Sequence, residues 1–412
     1  MMNSALAQSR PRLRPRHLNV PAETRLSASY WLLLAFLLLL YANTPFLVPA
    51  AEVLRPAKVV AGLALVALLG EAMFGSRILR FAWPEGGLLV AFVAAAAMSC
   101  LTALWPGYAV EGVSDLAKMA LVYFFIANCA NSERGLRGVM WVMVIGGLFP
   151  AAGTLKNYFS GNLDEGRAAW VGIFANPNEV AYALVILVPL AAWLAAPRRW
   201  GLRLLLLAIV LLYIAAIFVT FSRGGLLGLV AVIALCAWRN KNRWLQAALV
   251  LALLGGLLFA GRFWTRDEGF SQLSSDVTVG QRLATSVAGF NMFLDHPLLG
   301  VGFRCSVIAW PLYAPSGLQS RNALVTHNTF IQVLSETGAV GFVPFMLLIA
   351  ISLYRMRRLA LQPATAGMGA AVEVAIWGLV VCGLSGGYVL TWFPYLLFGL
   401  AGAATRVPKV TE

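Results

Sequence analysis

The stretch Thr326-His327-Asn328-Thr329-Phe330-Ile331-Gln332-Val333-Leu334-Ser335-Glu336-Thr337-Gly338-Ala339-Val340-Gly341 marks where a long polar segment runs into a hydrophobic helix. Downstream the chain stays apolar to about residue 354, enough for a bilayer span of about 20 residues. The chain has only three histidines, and one beside an asparagine at such a boundary calls for a chemical reason. Two readings compete: a hydrogen-bonded interfacial histidine, or a base working at the membrane surface, since neutral imidazole accepts a proton near pH 7.

The same apolar character recurs along the rest of the chain. Runs fall near 30–49, 57–74, 87–105, 113–130, 138–156, 178–196, 203–220, 225–238, 244–260, 329–354, 369–387 and 391–405. Hydrophobic residues make up 60% of the 412 positions and charged residues 12%, which is more apolar surface than a soluble domain needs. The expected fold is an all-α polytopic membrane protein with about twelve transmembrane helices.

A formal charge of +14 would suit nucleic acid. The basic residues, however, occur as short clusters between apolar runs, which is the signature of membrane topology, and no nucleic-acid partner is expected. Alternate connections carry Arg77 and Arg80; Arg134 and Arg137; Arg198, Arg199 and Arg203; Arg239, Lys241 and Arg243; Arg355, Arg357 and Arg358; and Arg406 and Lys409. With the basic tail Arg10, Arg12, Arg14 and Arg16, they place both termini in the cytoplasm. The expected organisation is a tail over 1–28, nine spans over 29–260, an external loop over 261–328, three spans over 329–405 and a tail over 406–412.

Arginines that remain on the external side run against the topology bias and need another task. The loop before His327 is far longer than an ordinary helix connection, as functional loops often are. Within it Leu283, Val287, Phe290 and Leu294 share one helical face, which predicts an amphipathic helix over 279–295, lying on the membrane or over a cavity or merely capping the bundle. Arg282 and Ser286 lie off that stripe.

Three external arginines stand in suggestive settings. Arg167 precedes Asn176-Pro177-Asn178, where Asn176 suits a helix N-cap and Pro177 the first helical position. Such a helix start offers free N–H groups to a phosphate, or it only begins a helix. Arg223 lies in Ser222-Arg223-Gly224-Gly225, where the glycines permit a tight turn and close approach of a ligand. Arginine at membrane depth is costly unless it meets an anion or snorkels to headgroups. Arg282 adds a third planar fork, better matched to diphosphate oxygens than lysine.

Glu336 lies nine residues after His327, about 13 Å along a continuous helix at 1.5 Å per residue. That is too far to orient the imidazole, so a partner for a buried polar group is expected, with proton relay as the other reading. The external acidic residues are scattered and include no Asp-x-Asp pair. No metal or other cofactor is expected, with arginine carrying the charge stabilisation that magnesium supplies elsewhere. Nor do the five cysteines form close-spaced pairs that would signal a disulfide framework or a zinc site.

In this order, Arg167 with Asn176-Pro177-Asn178, Ser222-Arg223-Gly224-Gly225, Arg282, Pro297-Leu298-Leu299-Gly300-Val301-Gly302, and His327-Asn328 with Glu336 and Gly338 resemble the bacterial O-antigen ligases. Their superfamily also includes O-antigen polymerases and protein O-oligosaccharyltransferases. The resemblance implies an inner-membrane glycosyltransferase with a periplasmic active site. It would move O-antigen from undecaprenyl diphosphate to lipid A–core. By position, Arg223 and Arg282 would bind the diphosphate with Arg167 as helper, and His327 would activate the acceptor. Asn328, Asn176, Asn178 and Glu336 would support them. Polymerase and protein transferase share the donor and differ in acceptor. A secondary transporter or lipid flippase also fits twelve spans, but it calls for ionisable groups at mid-membrane in related halves, whereas the polar features here gather on one face.

Overall fold

In the computed structural model, residues 26–43, 53–75, 78–196, 199–239, 277–315 and 324–406 are described, with scattered positions between 242 and 255. The described elements are α1 (Ala28–Ala42), α2 (Pro56–Met73), α3 (Glu85–Ser99), α4 (Pro106–Cys129), α5 (Glu133–Gly146), α6 (Leu148–Phe159), α7 (Pro177–Ala195), α8 (Trp200–Val219), α9 (Arg223–Arg239), α10 (Val277–Asp295), α11 (Ser306–Tyr313), α12 (Thr329–Ala360), α13 (Ala366–Gly383) and α14 (Phe393–Ala404), with a 3-10 turn at Gly172–Ala175 before α7. The described chain contains no strand, only an isolated bridge between Asp164 and Arg167.

Among the described residues, six helical segments are long and apolar enough to cross a membrane, and α1, α3 and α14 are shorter apolar helices. More than half of the expected ninth span over 244–260 falls outside the described residues, as do most of the basic tails. Two sequence boundaries move. The run expected at 87–105 ends as a helix at Ser99, and the next helix begins at Pro106, where proline fits the first turn. The run at 369–387 ends at Gly383, releasing Leu384 to Trp392 as a connector.

α14 is buried along its whole length, and α7 is buried at every residue from Val180 to Ala191. α7 packs against α8, α9 and α13, while α12 packs against α3, α13 and α10. By contrast, α8 presents Leu204, Leu205 and Leu211 outward at 47%, 56% and 66% exposure. Such a surface belongs against lipid rather than water.

Contacts sort the polar residues to two ends. Arg355 pairs with Glu85 at 2.7 Å, Arg80 N–H donates to Asn128 at 2.8 Å, and Arg406 donates to the Ala127 carbonyl at 3.0 Å. These lie at the end of α12 remote from His327. Arg239 pairs with Glu373 at 2.5 Å, and both partners are largely buried.

α12 is interrupted. Gly338 has φ 57° and ψ −161°, so the element is two helices meeting at a break. The Pro297-Leu298-Leu299-Gly300-Val301 segment closes that break with main-chain bonds. Ala339 N–H donates to the Pro297 carbonyl at 2.8 Å, Val340 N–H to Leu298 at 3.2 Å, and Val301 N–H to Ser335 at 2.9 Å. Freed backbone groups at membrane depth cost several kcal/mol each unless paired, so this loop stabilises the break.

The loop helix is present as α10, but its packed face differs from the apolar stripe. Ala284, Ala288 and Met292 turn inward with Val301, Ala309 and Trp310. Leu283, Val287, Phe290 and Leu294 are exposed. Small residues win the inner face because they let the helix lie close to α12, where Ile331 faces Gly289.

A Cβ at Gly338 would strike the Leu298 backbone as well as holding a positive φ. Gly338→Ala is therefore expected to destabilise the protein by about 2 kcal/mol or more. Thermal unfolding in detergent would show this as a clear fall in Tm, and an unchanged Tm would mean the break is not constrained as described.

Candidate active site

The site is assembled at the start of α12 from four connections that the sequence separates widely. Asn176 caps α7, its side chain accepting from Asn178 N–H at 2.9 Å, and Pro177 takes the first turn. That leaves the Asn178 side chain to act as a hub. Its Oδ1 accepts from Arg167 Nη2 at 2.8 Å and from Ser222 Oγ at 2.7 Å. Arg167 Nε donates to the Thr220 carbonyl at 3.0 Å. Two bonds thus hold the arginine, and a charge-assisted bond is about twice as strong as a neutral one.

Arg223 follows Ser222 and opens α9. Here the role expected for the neighbouring glycines is corrected. The turn is made by Phe221, at φ 47°. Gly224 and Gly225 instead let α9 approach its neighbours: a Cβ at Gly224 would meet Ser385 Oγ and Tyr182 OH at 2.8 Å, and one at Gly225 would meet Ala181.

The connector after α13 forms the other wall. Arg282 Nη1 donates to Ser385 Oγ at 2.6 Å, and Tyr182 OH donates to the Ser385 carbonyl at 3.1 Å. Asn328 caps α12, accepting from Phe330 N–H at 2.9 Å and Ile331 N–H at 3.2 Å, while its Nδ2 reaches the Leu384 carbonyl at 3.4 Å. Thr329 Oγ1 donates to the Gly386 carbonyl at 2.6 Å. Ser385 and Tyr182 were not singled out from sequence. Ser385-Gly386-Gly387 looked like the end of an apolar run, although a polar residue with two glycines there was a usable signal.

His327 is half-buried beside these groups, and no hydrogen bond to its ring is present among the described residues. Its pKa is lowered to about 4, first by burial and then by the charges of Arg282 and Arg167. Both guanidinium groups therefore act on one imidazole, joining the two halves of the site. At neutral pH the ring is uncharged and able to accept a proton.

Glu336 does not join this cluster. Its buried carboxylate accepts from Arg304 N–H at 3.0 Å, Ser306 Oγ at 2.6 Å and Gln332 Nε2 at 3.3 Å. It ties the start of α11 to α12 just before the break. Among the described residues, no group of three or more His, Cys, Asp or Glu side chains is placed to hold a metal ion.

Residues 208–346 match the family model described as O-antigen ligase. The match covers about a third of the chain and includes Arg223, Arg282, His327 and Glu336. Arg167, Asn176, Asn178 and Ser385 lie outside it. The chain therefore carries an O-antigen ligase domain within a membrane-embedded helical bundle, and that domain supports its place in the O-antigen ligase superfamily. Members of that family are glycosyltransferase-like enzymes. A search of curated proteins finds no match to the chain.

Asn178→Ala removes the acceptor shared by Arg167 and Ser222 and is expected to cost about 1–3 kcal/mol. Asn178→Asp keeps both acceptor contacts and is expected to remain nearer wild type. Comparing the two unfolding midpoints checks the hub, and equal losses would count against it.

Proposed function

We propose that the protein is an O-antigen ligase. It transfers O-antigen glycan from undecaprenyl diphosphate to a sugar hydroxyl of lipid A–core, at the periplasmic face of the bacterial inner membrane. Both termini lie in the cytoplasm, and the loop over 261–328 is periplasmic. The observation that carries this reading is the gathering of Arg167, held by Asn178, and Arg282, held by Ser385, at the end of the apolar bundle where His327 precedes α12 and Asn328 reaches Leu384.

In this reading Arg223 and Arg282 hold the diphosphate, with Arg167 as helper. The acceptor oxygen attacks the anomeric carbon while His327 takes the hydroxyl proton. A glycosidic bond forms as the bond from the anomeric carbon to the diphosphate oxygen breaks. The leaving oxygen keeps the electron pair, and undecaprenyl diphosphate departs with its charge stabilised by the arginines. A single displacement inverts the anomeric configuration. The guanidinium groups supply the charge stabilisation, and no metal is required in this scheme.

The donor also completes the base. A pKa of about 4 makes the free imidazole a weak proton acceptor, whereas a base near the working pH is most effective. A bound diphosphate opposes the positive charges that depress His327, so its pKa rises in the complex. Proton transfer is thereby favoured only when the donor is in place.

Purified protein with lipid-linked glycan and lipid A–core, in buffer containing EDTA, is expected to yield glycosylated lipid A–core. His327→Ala is expected to abolish that product while the protein stays folded and donor binding persists. Longer lipid-linked glycan formed without lipid A–core would instead identify a polymerase. No product from folded wild-type protein would remove the transferase reading.

The pH dependence separates this base from an ordinary histidine. For free enzyme, kcat/KM for the donor is expected to stay flat from pH 8 down to pH 6. A histidine near its usual pKa of about 6.5 would already lose about fourfold at pH 6. The acid limb of kcat is expected at higher pH than that of kcat/KM, because the bound diphosphate raises the pKa of His327. Coincident limbs near pH 6.5 would contradict the charge coupling.

A further inference from the structure

At the end of α12 remote from His327, about 24 Å along its second half from Ala339 to Arg355 at 1.5 Å per residue, a cavity of about 470 Å³ opens to the surface. Arg80, Arg355 and Arg406 line it, together with Phe81, Trp83 and Thr405. The three arginines come from three places: the 78–84 connector, the last turns of α12 and the residue beyond α14.

Their surroundings leave positive charge in excess. Arg355 is committed through Nη1 to Glu85 at 2.7 Å and through Nη2 to the Trp83 carbonyl at 2.9 Å. Arg406 donates one bond, to the Ala127 carbonyl at 3.0 Å, from a fork that carries five N–H donors. The Arg80 backbone is pinned by Asn128, while its side chain is exposed. Burial lowers the pKa of Arg406; Arg80 and Arg355 add to this, and Tyr123 and Glu85 oppose it. Glu85 is thus the carboxylate acting on Arg406, set against two neighbouring guanidinium groups.

Topology bias accounts for arginines at this face, but not for three of them converging on one cavity. Independent snorkelling arginines spread toward separate headgroups. An anion between them relieves the mutual repulsion, and the planar guanidinium fork matches phosphate oxygens. The neighbouring surface indicates the carrier. Phe81 and Trp83 flank the cavity at 43% and 71% exposure, and exposed rings at a bundle end mark the headgroup level of a bilayer.

We propose that Arg80, Arg355 and Arg406 form a site for the phosphate group of an anionic phospholipid in the leaflet opposite the His327 end. Arg80 and Arg406 grip the phosphate. Arg355 adds charge while its bond to Glu85 fixes the cavity wall, and Phe81 and Trp83 lie along the glycerol and upper acyl region. The site does not depend on the transfer reaction proposed above.

Delipidated protein would be titrated with phosphatidylglycerol, phosphatidylcholine or inorganic phosphate and followed by native mass spectrometry. Wild type is expected to retain phosphatidylglycerol in preference to the other two. R80Q/R406Q is expected to bind it at least about tenfold more weakly, since each arginine contributes a charged hydrogen bond. Arg357→Gln, an exposed arginine outside the cavity, is expected to match wild type. Size-exclusion chromatography reports whether the double variant folds, and if it does not, the exposed single change Arg80→Gln carries the comparison. Equal binding of phosphatidylglycerol and phosphatidylcholine, or an unchanged adduct in folded R80Q/R406Q or Arg80→Gln, would overturn the site. Capture of inorganic phosphate with no lipid adduct would overturn the lipid as its source.

Discussion

The break in α12 at Gly338 sets how the loop segment and the bundle are joined. A helix interrupted within an apolar bundle exposes N–H and carbonyl groups that lipid cannot satisfy. The segment from Pro297 to Val301 satisfies them, donating through Val301 and accepting through Pro297 and Leu298. A segment from the long loop is thus bonded into the bundle as firmly as a strand in a sheet. Arg282 lies one helix before that anchor, and His327 one half-helix before the break. Their relative placement follows from main-chain bonds rather than from loose side-chain packing. Glu336 reinforces the same joint by holding Arg304 and Ser306.

Around that joint the polar groups support one another in a fixed order. Asn176 spends its side chain on the helix start, which frees Asn178 to hold Arg167 and Ser222. Ser385 takes Arg282 through its hydroxyl and Tyr182 through its carbonyl. The arginines are therefore oriented before any ligand arrives, so less conformational entropy is lost on binding. Their cost is carried by His327, which is held neutral among positive charges. A site that disfavours one more positive charge is suited to an anionic ligand, and the proposed diphosphate donor has that character.

The two ends of the bundle use arginine differently. Near His327, Arg167 donates to an asparagine and a backbone carbonyl, and Arg282 donates to a serine. At the remote end Arg355 faces Glu85, and Arg239 faces Glu373. Those pairs sit where removal of one partner would leave a buried charge, typically a loss of about 3–5 kcal/mol. Fully paired arginine there serves the fold. The cluster of Arg80, Arg355 and Arg406 lies between these extremes, with one carboxylate among three cations.

Apolar runs and their punctuation made the helical membrane class legible, because lipid leaves few ways to satisfy a backbone. Local chemistry was legible too: Asn176-Pro177 starts α7, and Asn328 starts α12, since capping depends on residues only a few positions apart. The stripe of Leu283, Val287, Phe290 and Leu294 was correctly periodic yet faces away from the protein. Periodicity specifies a face, not what covers it. Ser385 and Tyr182 escaped notice because their importance lies in contacts more than 100 residues distant in sequence. Helix type, the caps and the available charges could be read along the chain because short-range sterics and solvation set them. That Asn178 holds Arg167, that Ser385 holds Arg282, and that a loop from outside α12 closes its glycine break came from the folded arrangement, because long-range contacts depend on which surfaces meet.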